Sequence, residues 1–419
     1  VVNWPERGMF RPGNSVPRWH IAWGTGFAII EAVRKHLEAH PRRQNLDVHF
    51  GHRVTALSVK NGSVHGCSGV FEGGKGEFAA EGEQVVIAAG GICGGDLSLV
   101  RKHWFANWGR PPKIILNGSH RFADGLLHEE VRRHGGNVTH LDKQWHYAAG
   151  IHHPNPDRHM HGLSLVPPRS ALWLDATGKR IGPPPLVAYT DTRYLVEQIC
   201  RSPGQYSWQL LNRKIALKEL AVSGSEYMTA FREKKKLRMA LNLLFGNREL
   251  LARLQRECKD VVVAQSLPEL VSKMNELGNP FDVDLARVEH EVRTYDDQIA
   301  RGKRFFNDEQ LRRLMNFRTY RGDRLRTCKF QRIDDPAARP LIAIREFILS
   351  RKSLGGIQTD LQCRVLHENG NPIPGLYAVG ESAGFGGGGI HGLRSLEGTF
   401  LGSCVLTGRM AAQAIAGGN

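Results

Sequence analysis

The pattern of hydrophobic and polar positions changes several times along the chain, and the first changes predict a helix followed by short strands. Residues 18–40 place Ile29, Ile30, Val33 and Leu37 on one side of an amphipathic helix that opens after a Gly-Thr-Gly turn. LDVHF and the alternating stretch 53–82, with the turn signals Asn61-Gly62 and Gly73-Gly74, follow it. LDVHF and 53–82 together predict a meander of short β-strands.

Two segments combine a continuous apolar run with a glycine-rich turn. QVVIAAGGICGG is apolar from Val85 to Ala89 and then has paired glycines, which predicts a buried parallel strand that enters a tight loop. LYAVGESAGFGGGG, at 376–389, repeats this arrangement before a terminal helix. Glycines after a strand let a ligand approach the backbone, and the next helix offers unpaired N–H groups. We expect the two segments to lie together.

The residues between these segments have a different character. Residues 101–340 are rich in Arg and Lys, and 239–260, 267–278 and 283–302 each have a helical pattern. The core-type pattern returns with LIAIREFIL at 341. The fold predicted is α/β with α+β elements, in which 1–100 and 341–419 form one discontinuous domain and 101–340 form an inserted second domain.

Composition and charge narrow the class of protein. Of the 419 residues, 41% are hydrophobic and 23% are charged, as in globular proteins, and the chain has no run of the ~20 apolar residues that a membrane-spanning helix needs. The net charge of +16 raises the question of an anionic partner. Because the basic residues are spread along the chain and not interleaved with aromatic residues in one block, we favour a solvated basic surface over nucleic-acid binding.

The cysteines and histidines do not indicate a metal centre. The seven cysteines are scattered without a CxxC pair, which is typical of reduced thiols in a cytoplasmic protein. Four histidines cluster in one short stretch: His152, His153, His159 and His161. No carboxylate or Cys is placed in the sequence to complete a ligand shell, so we expect no metal.

The C-terminal sequence resembles a known family. GGIQTDLQCRVLHENGNPIPGLYAVGESAG, followed by HGLRSLEG and a terminal helix, resembles the closing segment of the soluble fumarate reductase and 3-ketosteroid dehydrogenase flavoproteins. VTALSVKNGSVHGC, Ala123-Asp124-Gly125 and LWLDATGKRI resemble further segments of that family. The resemblance implies an FAD-binding, Rossmann-like domain with an inserted α+β cap domain on the substrate side.

The resemblance also implies which residues hold FAD. They lie on strands, in turns and at helix starts: Val54, Ala89, Gly90, Gly91, Asp124, Gly380, Glu381, Gly388, Gly389, Ser395 and Leu396. Successive glycines at 386–389 leave one wall without side chains, and the positive end of the helix that begins at Ser395 would face the flavin pyrimidine. The family's first segment, a strand, a GxGxxG turn and a helix, is not in this sequence, so we expect the chain to begin after it.

The implied reaction is hydride exchange between flavin N5 and a carbon of a CH–CH bond next to a carbonyl or carboxylate, with a small-molecule substrate and an unknown electron partner. The candidate catalytic residues are Arg394, His391 and Lys352 near the flavin, and Arg193 and Tyr189 from the cap. Each has a structural alternative, such as pairing of Arg394 with Glu397 or Glu381, or solvation of Lys352.

The family's substrate residues are not retained in their usual places. The position before LGG, His in the fumarate reductases and Tyr in the ketosteroid dehydrogenases, falls in the stretch Arg351-Lys352-Ser353, and Arg394 lies one residue earlier than the family's Arg. The substrate class therefore stays open between a steroid-like or cyclic enone and a small unsaturated acid. A third possibility is a non-catalytic chain that has lost its cofactor site.

Overall fold

The computed structural model describes residues 2–5, 17–188, 191–223, 226–319, 321–385 and 399–417, which form a mixed helix and strand structure. The strands are β1 (Val2–Pro5), β2 (Pro17–Ile21), β3 (His52–Lys60), β4 (Ser63–Phe71), β5 (Glu77–Glu81), β6 (Val85–Ile87), β7 (Ile115–Asn117), β8 (Val138–Thr139), β9 (Gln144–His152), β10 (Gly162–Val166), β11 (Leu172–Asp175), β12 (Ser207–Asn212), β13 (Ala221–Val222), β14 (Val261–Ala264), β15 (Leu341–Ser353), β16 (Gly356–Ile357), β17 (Arg364–Leu366) and β18 (Pro372–Ala378).

The helices are α1 (Thr25–Glu38), α2 (Ser98–Lys102), α3 (Leu126–Arg133), α4 (Thr192–Arg201), α5 (Arg213–Glu219), α6 (Thr229–Arg232), α7 (Lys236–Phe245), α8 (Arg248–Glu257), α9 (Leu267–Asn275), α10 (Leu285–Arg301), α11 (Glu309–Phe317), α12 (Arg321–Leu325) and α13 (Thr399–Gly417). Within the part of the chain that the structure describes, no helix is long and apolar enough to cross a membrane.

The chain divides into two compact units. The large unit comprises 1–34, 108–118 and 147–349, and the small unit comprises 35–107, 119–146 and 350–419. The small unit thus contains most of the residues predicted to form the FAD-binding domain, together with 101–107 and 119–146. The predicted domain limits at 100 and 341 stay a prediction.

The large unit is built on a mainly antiparallel sheet in the order β11-β12-β15-β9-β10-β13, and β7 and β14 also pair with β15. Strand β15 lies in the middle of this sheet, and its residues Leu341, Ile342, Ala343 and Ile344 are all buried. Burial on both faces explains why LIAIREFIL reads as an almost continuous apolar run, since such a strand has no polar face to show.

The predicted helices of the large unit are largely confirmed. The patterns at 267–278 and 283–302 form α9 and α10, with Ser266 and Asp284 as their N-caps. The pattern at 239–260 is divided between α7 and α8 at Gly246, which has a φ of 82°. Asn247 then caps α8 by accepting a hydrogen bond from the Leu250 N–H, so the break follows from glycine and capping chemistry.

The small unit contains the predicted meander, β3-β4-β5, with antiparallel pairing throughout. Asn61 and Gly62 have φ values of 52° and 76°, as a two-residue hairpin turn requires. The strand predicted at LDVHF is wrong, because residues 46–50 pair with no strand and Phe50 is exposed. Helix α1, most of which belongs to the large unit, forms as predicted, but none of its residues is buried, so its predicted apolar side is not part of the core of the described residues.

The two strand-and-glycine segments come together in the small unit, as predicted. β6 and β18 pair in parallel, with Leu376 opposite Val85 and Ala378 opposite Ile87. Among the described residues the sheet order is β17-β18-β6, with β6 at the edge, and Val86 is exposed, whereas the sequence predicted burial. The core beneath the sheet includes Ile87, Leu376 and Ala378 with residues of β3, β4 and α3.

A buried carboxyl in the large sheet leads to a prediction about pH. Glu346 and Gln209 are both buried, and burial raises the pKa of Glu346 well above its ordinary value, while the neighbouring Gln209 opposes the shift. A raised folded-state pKa contributes stability that is complete below the unfolded-state pKa and is lost as the pH rises through the folded-state value. We therefore expect wild type to lose stability relative to Glu346→Gln as the pH rises above about 4.3, the unfolded-state pKa of a glutamate, toward neutral and alkaline pH.

Urea unfolding of both proteins across this pH range would test the prediction. The exposed Glu368 provides the control, since Glu368→Gln should follow the wild-type pH profile. Parallel profiles for wild type and Glu346→Gln would show that Glu346 is not held in its protonated form.

Candidate functional site

The candidate site lies at the carboxyl ends of β6 and β18 in the small unit. The Val379 N–H donates to the Ile87 carbonyl at 2.9 Å. After Ile87, the chain turns through the exposed residues Ala88 and Ala89 to Gly90, which has a φ of 80°. The Ser382 hydroxyl donates to the Gly90 carbonyl at 2.9 Å. The exposed turn carries nothing larger than a methyl group, so a ligand can approach its backbone.

Ser353 joins this turn to Glu381. The Ile92 N–H donates to Ser353 Oγ at 2.7 Å, and the Ser353 N–H donates to Glu381 Oε1 at 2.9 Å. A Cβ on Gly91 would lie 2.4 Å from Ser353 Oγ and 2.6 Å from Glu381 Oε1. Only a glycine at position 91 therefore leaves room for the contact between Ser353 and Glu381. Sequence reasoning did not single out Ser353 as the connecting residue, because nothing in its local pattern distinguishes it.

Glu381 is a carboxyl with a raised pKa. Burial raises its pKa above the ordinary value, while the Ser353 N–H and the positive charges of Lys352 and Arg351 oppose the shift. Nearby, burial and the Glu381 charge raise the pKa of Cys93 to about 12. Cys93 therefore stays a thiol at neutral pH, and all seven cysteines of the chain are free.

Two aromatic rings hold the ammonium group of Lys352. Its Nζ lies 4.3 Å from the ring centroid of Phe400 and 5.5 Å from that of Trp145. The two ring centroids are 5.0 Å apart, so the cation lies over both faces. These aromatic partners come from distant parts of the chain and carried no signal in the sequence.

Asp124 follows a residue that lies against the glycine turn. A Cβ on Gly90 would lie 3.2 Å from the Ala123 Cβ. The next residue, Asp124, accepts hydrogen bonds from the Leu126 N–H at 3.1 Å and from Arg53 at 2.6 Å. Arg53 precedes Val54 on β3, the edge strand of the meander, so this ion pair ties Asp124 to the strand that carries Val54.

The other predicted site residues are distributed differently. Gly380 begins the turn after β18 with a φ of 62°, and its N–H donates to Thr407 Oγ1 at 2.9 Å. Arg193 lies on α4 in the large unit. The remaining predicted positions lie outside the described residues: Tyr189, Gly388, Gly389, His391, Arg394, Ser395 and Leu396.

The histidine cluster has carboxylate partners that the sequence did not indicate. His152 Nδ1 lies 2.8 Å from Asp260, His153 Nε2 lies 3.0 Å from Glu226, and the His153 and His161 rings stack with centroids 4.1 Å apart. The premise that no carboxylate is available was therefore wrong. Even so, over the described ranges of the chain, no group of three His, Cys, Asp or Glu residues is arranged to hold a metal ion.

Comparison with known proteins defines the class of this chain. Residues 1–401 match the family described as FAD binding domain. The chain belongs to this family, and it is a flavoprotein oxidoreductase chain with FAD as its cofactor. The turn at 88–91 has only alanines and glycines, and its Ala88 and Ala89 are exposed at the ends of two parallel strands, which fits a cofactor that lies against the backbone.

The chain is also similar to individual proteins and solved structures. The chain is 40% identical to a KsdD-like steroid dehydrogenase of Mycobacterium tuberculosis over 99% of its own length and 75% of that protein. An open flavocytochrome c3 fumarate reductase has a similar fold, with a TM-score of 0.61, 19% identity and coverage of 97% of this chain and 58% of the other. The 3-ketosteroid Δ1-dehydrogenase of Sterolibacterium denitrificans gives a TM-score of 0.58 at 16% identity, covering 87% of this chain and 59% of the other.

Proposed function

We propose that this chain, within its flavoprotein, catalyses oxidation or reduction of a CH–CH bond next to a carbonyl, with a steroid-like or other cyclic enone as substrate. The FAD-binding domain would comprise 1–100 and 341–419, most of which lies in the small unit, and 101–340 would be the cap domain on the substrate side. Bound FAD would supply the hydride chemistry at N5. The similarity to a protein named as a steroid dehydrogenase, which extends over 99% of the chain, supports the substrate class.

One observation carries the proposal. The turn after β6 is joined to the turn after β18 by the close contacts of Gly91 with Ser353 and Glu381. Lys352 precedes Ser353 in the chain. In this proposal the Ala89–Gly91 backbone lines the flavin, and the edge of β3 at Val54 receives the adenine. Asp124, held by Arg53, would stabilise the position of the nucleotide part. Ser353 and Glu381 would fix the two turns relative to each other.

Lys352 would act by charge. An ammonium group near the flavin stabilises the negative charge that accumulates on reduction, and two aromatic rings keep this one in place. The second proton of the reaction needs a donor or acceptor near the substrate. We assign this step to the set Arg394, His391, Tyr189 and Arg193, of which the first two belong to the predicted flavin loop.

Anaerobic mixing of the FAD-loaded protein with a saturated 3-ketosteroid tests the proposed function. We expect the absorbance of oxidised flavin to fall as the steroid is dehydrogenated. Fumarate, added to the chemically reduced protein, should reoxidise the flavin far more slowly than a dienone steroid does. Rapid reoxidation by fumarate would favour a reductase of small unsaturated acids, and no response to either class would indicate a non-catalytic flavoprotein.

A change at Lys352 is expected to slow flavin reduction. Lys352→Met keeps much of the side-chain length but removes the charge, so we expect a lower flavin reduction potential and a reduction rate about tenfold slower. Stopped-flow absorbance and a dye-based redox titration measure the two effects. Lys303→Met is the matched control, because Lys303 also lies over a phenyl ring, that of Phe330, but in the large unit. Equal potentials in the two variants would show that Lys352 has only a structural role.

A further inference from the structure

Helix α7 in the large unit presents its apolar side chains to solvent. Leu237 is 76% exposed, Leu244 is 76% exposed and Phe245 is 63% exposed, and Leu241 is exposed on the same side. None of the residues of this helix is buried. Leucines at positions 237, 241 and 244 follow the helical repeat, so they form one continuous face.

The opposite side of α7 is its more polar side, and that side faces the protein. Arg238, Met239 and Asn242 line a cavity of about 100 Å³ together with Tyr227 and Leu250. They are also the half-buried residues of the helix. The helix is therefore oriented opposite to an ordinary surface helix, whose apolar side packs on the core.

A basic segment leads into the outward apolar face. Residues 232–238 contain five basic side chains and one acidic one: Arg232, Glu233, Lys234, Lys235, Lys236 and Arg238. Glu233 pairs with Lys235 and Arg232, and Arg238 pairs with Glu249; five basic against two acidic side chains still leave an excess of positive charge at the start of the helix. In a symmetric contact between two copies, these like charges would face each other and repel. An anionic surface is the complementary partner.

We propose that α7 and the preceding basic segment bind the chain to the surface of an anionic lipid bilayer. The helix would lie in the plane of the interface, with Leu237, Leu241, Leu244 and Phe245 among the acyl chains. Lys234 and Lys236 would lie at the level of the headgroups. This arrangement combines the two contributions that interfacial helices use, buried apolar area and attraction to anionic lipid. The proposal does not depend on the proposed function.

Flotation of the full chain with lipid vesicles tests the proposal. We expect binding to vesicles of phosphatidylcholine and phosphatidylglycerol, at least tenfold weaker binding to phosphatidylcholine alone, and weakening as salt is added. Leu244→Glu should reduce binding about tenfold or more. Leu361→Glu is the matched control, because Leu361 is even more accessible, 91% exposed, in the small unit, and it should bind like wild type.

A second variant keeps the test decisive if Leu244→Glu does not fold. Lys234→Gln combined with Lys236→Gln changes two exposed side chains and should weaken binding to the anionic vesicles severalfold without affecting the unfolding temperature. The proposal is overturned if wild type does not float with anionic vesicles, or if Leu244→Glu and Leu361→Glu bind equally. It is also overturned if Leu244→Glu converts an oligomer to a monomer in sedimentation, since α7 would then contact a second copy.

Discussion

Replacement of Asp260 by alanine is expected to lower the free energy of unfolding by about 3–5 kcal/mol. Asp260 is fully buried in the large unit and accepts hydrogen bonds from the His152 N–H at 2.7 Å and from Arg345 at 3.0 Å. Removal of the carboxylate leaves the mostly buried guanidinium of Arg345 without its charge partner. Urea unfolding near neutral pH measures the effect.

The matched control is Asp157→Ala. Asp157 pairs with Arg158, but its side chain is 69% exposed, so we expect a change of only about 0–1 kcal/mol. Similar losses in the two variants would show that burial of the Asp260 pair has no energetic consequence.

The same buried carboxylate predicts how the stability of the protein changes at acidic pH. Burial tends to raise the pKa of Asp260, but hydrogen bonds from His152 and the charge of Arg345 outweigh it, so the folded-state pKa lies below its ordinary value. A lowered pKa contributes stability that is present above the unfolded-state pKa and is lost as the pH falls through the folded-state pKa. Asp260→Asn should therefore show a shallower loss of stability in acid than wild type.

Substitution of Gly91 by valine is expected to abolish retention of FAD and to destabilise the small unit by about 1–3 kcal/mol. The added Cβ would lie 2.8 Å from the Ser353 Cβ as well as against Ser353 Oγ and Glu381 Oε1. Ser353 has no room to move, because it is buried and bonded to Ile92. The turn after β6 must then separate from the turn after β18.

The ratio of flavin to protein absorbance after desalting measures retention, and thermal unfolding measures stability. Gly74→Ala is the control, because a Cβ there would lie 3.7 Å from Phe71, an ordinary contact. Retention of FAD by Gly91→Val at the level of Gly74→Ala would remove the glycine turn from the proposed flavin site.

The sequence predicts elements that depend on local patterns. The alternation in 53–82, the helix signals at 267–302 and the two strand-and-glycine segments all correspond to observed elements, because side-chain period and turn chemistry act within a few residues. The break between α7 and α8 was missed although Gly246-Asn247 marks it. The strand predicted at LDVHF does not form, because alternation of apolar and polar residues does not ensure that a neighbouring strand is available for pairing.

The side-chain contacts of the candidate site depend instead on residues far apart in the sequence. Gly91 and Glu381 were predicted from the resemblance, but the role of Ser353 between them appears only when β6, β15 and β18 are assembled. The same holds for Trp145 and Phe400 around Lys352. Local patterns cannot predict such partners, because tertiary packing alone brings them within a few ångströms.

The most direct test of the central claim is amide hydrogen exchange of the full chain with and without FAD, followed by mass spectrometry. The claim is that the small unit holds FAD against the turns after β6 and β18. We predict that FAD slows exchange in peptides covering 85–93 and 379–385, while the buried sheet around β12 in the large unit is unchanged. Protection confined to the large unit, or saturable FAD binding without protection of either turn, would contradict the account.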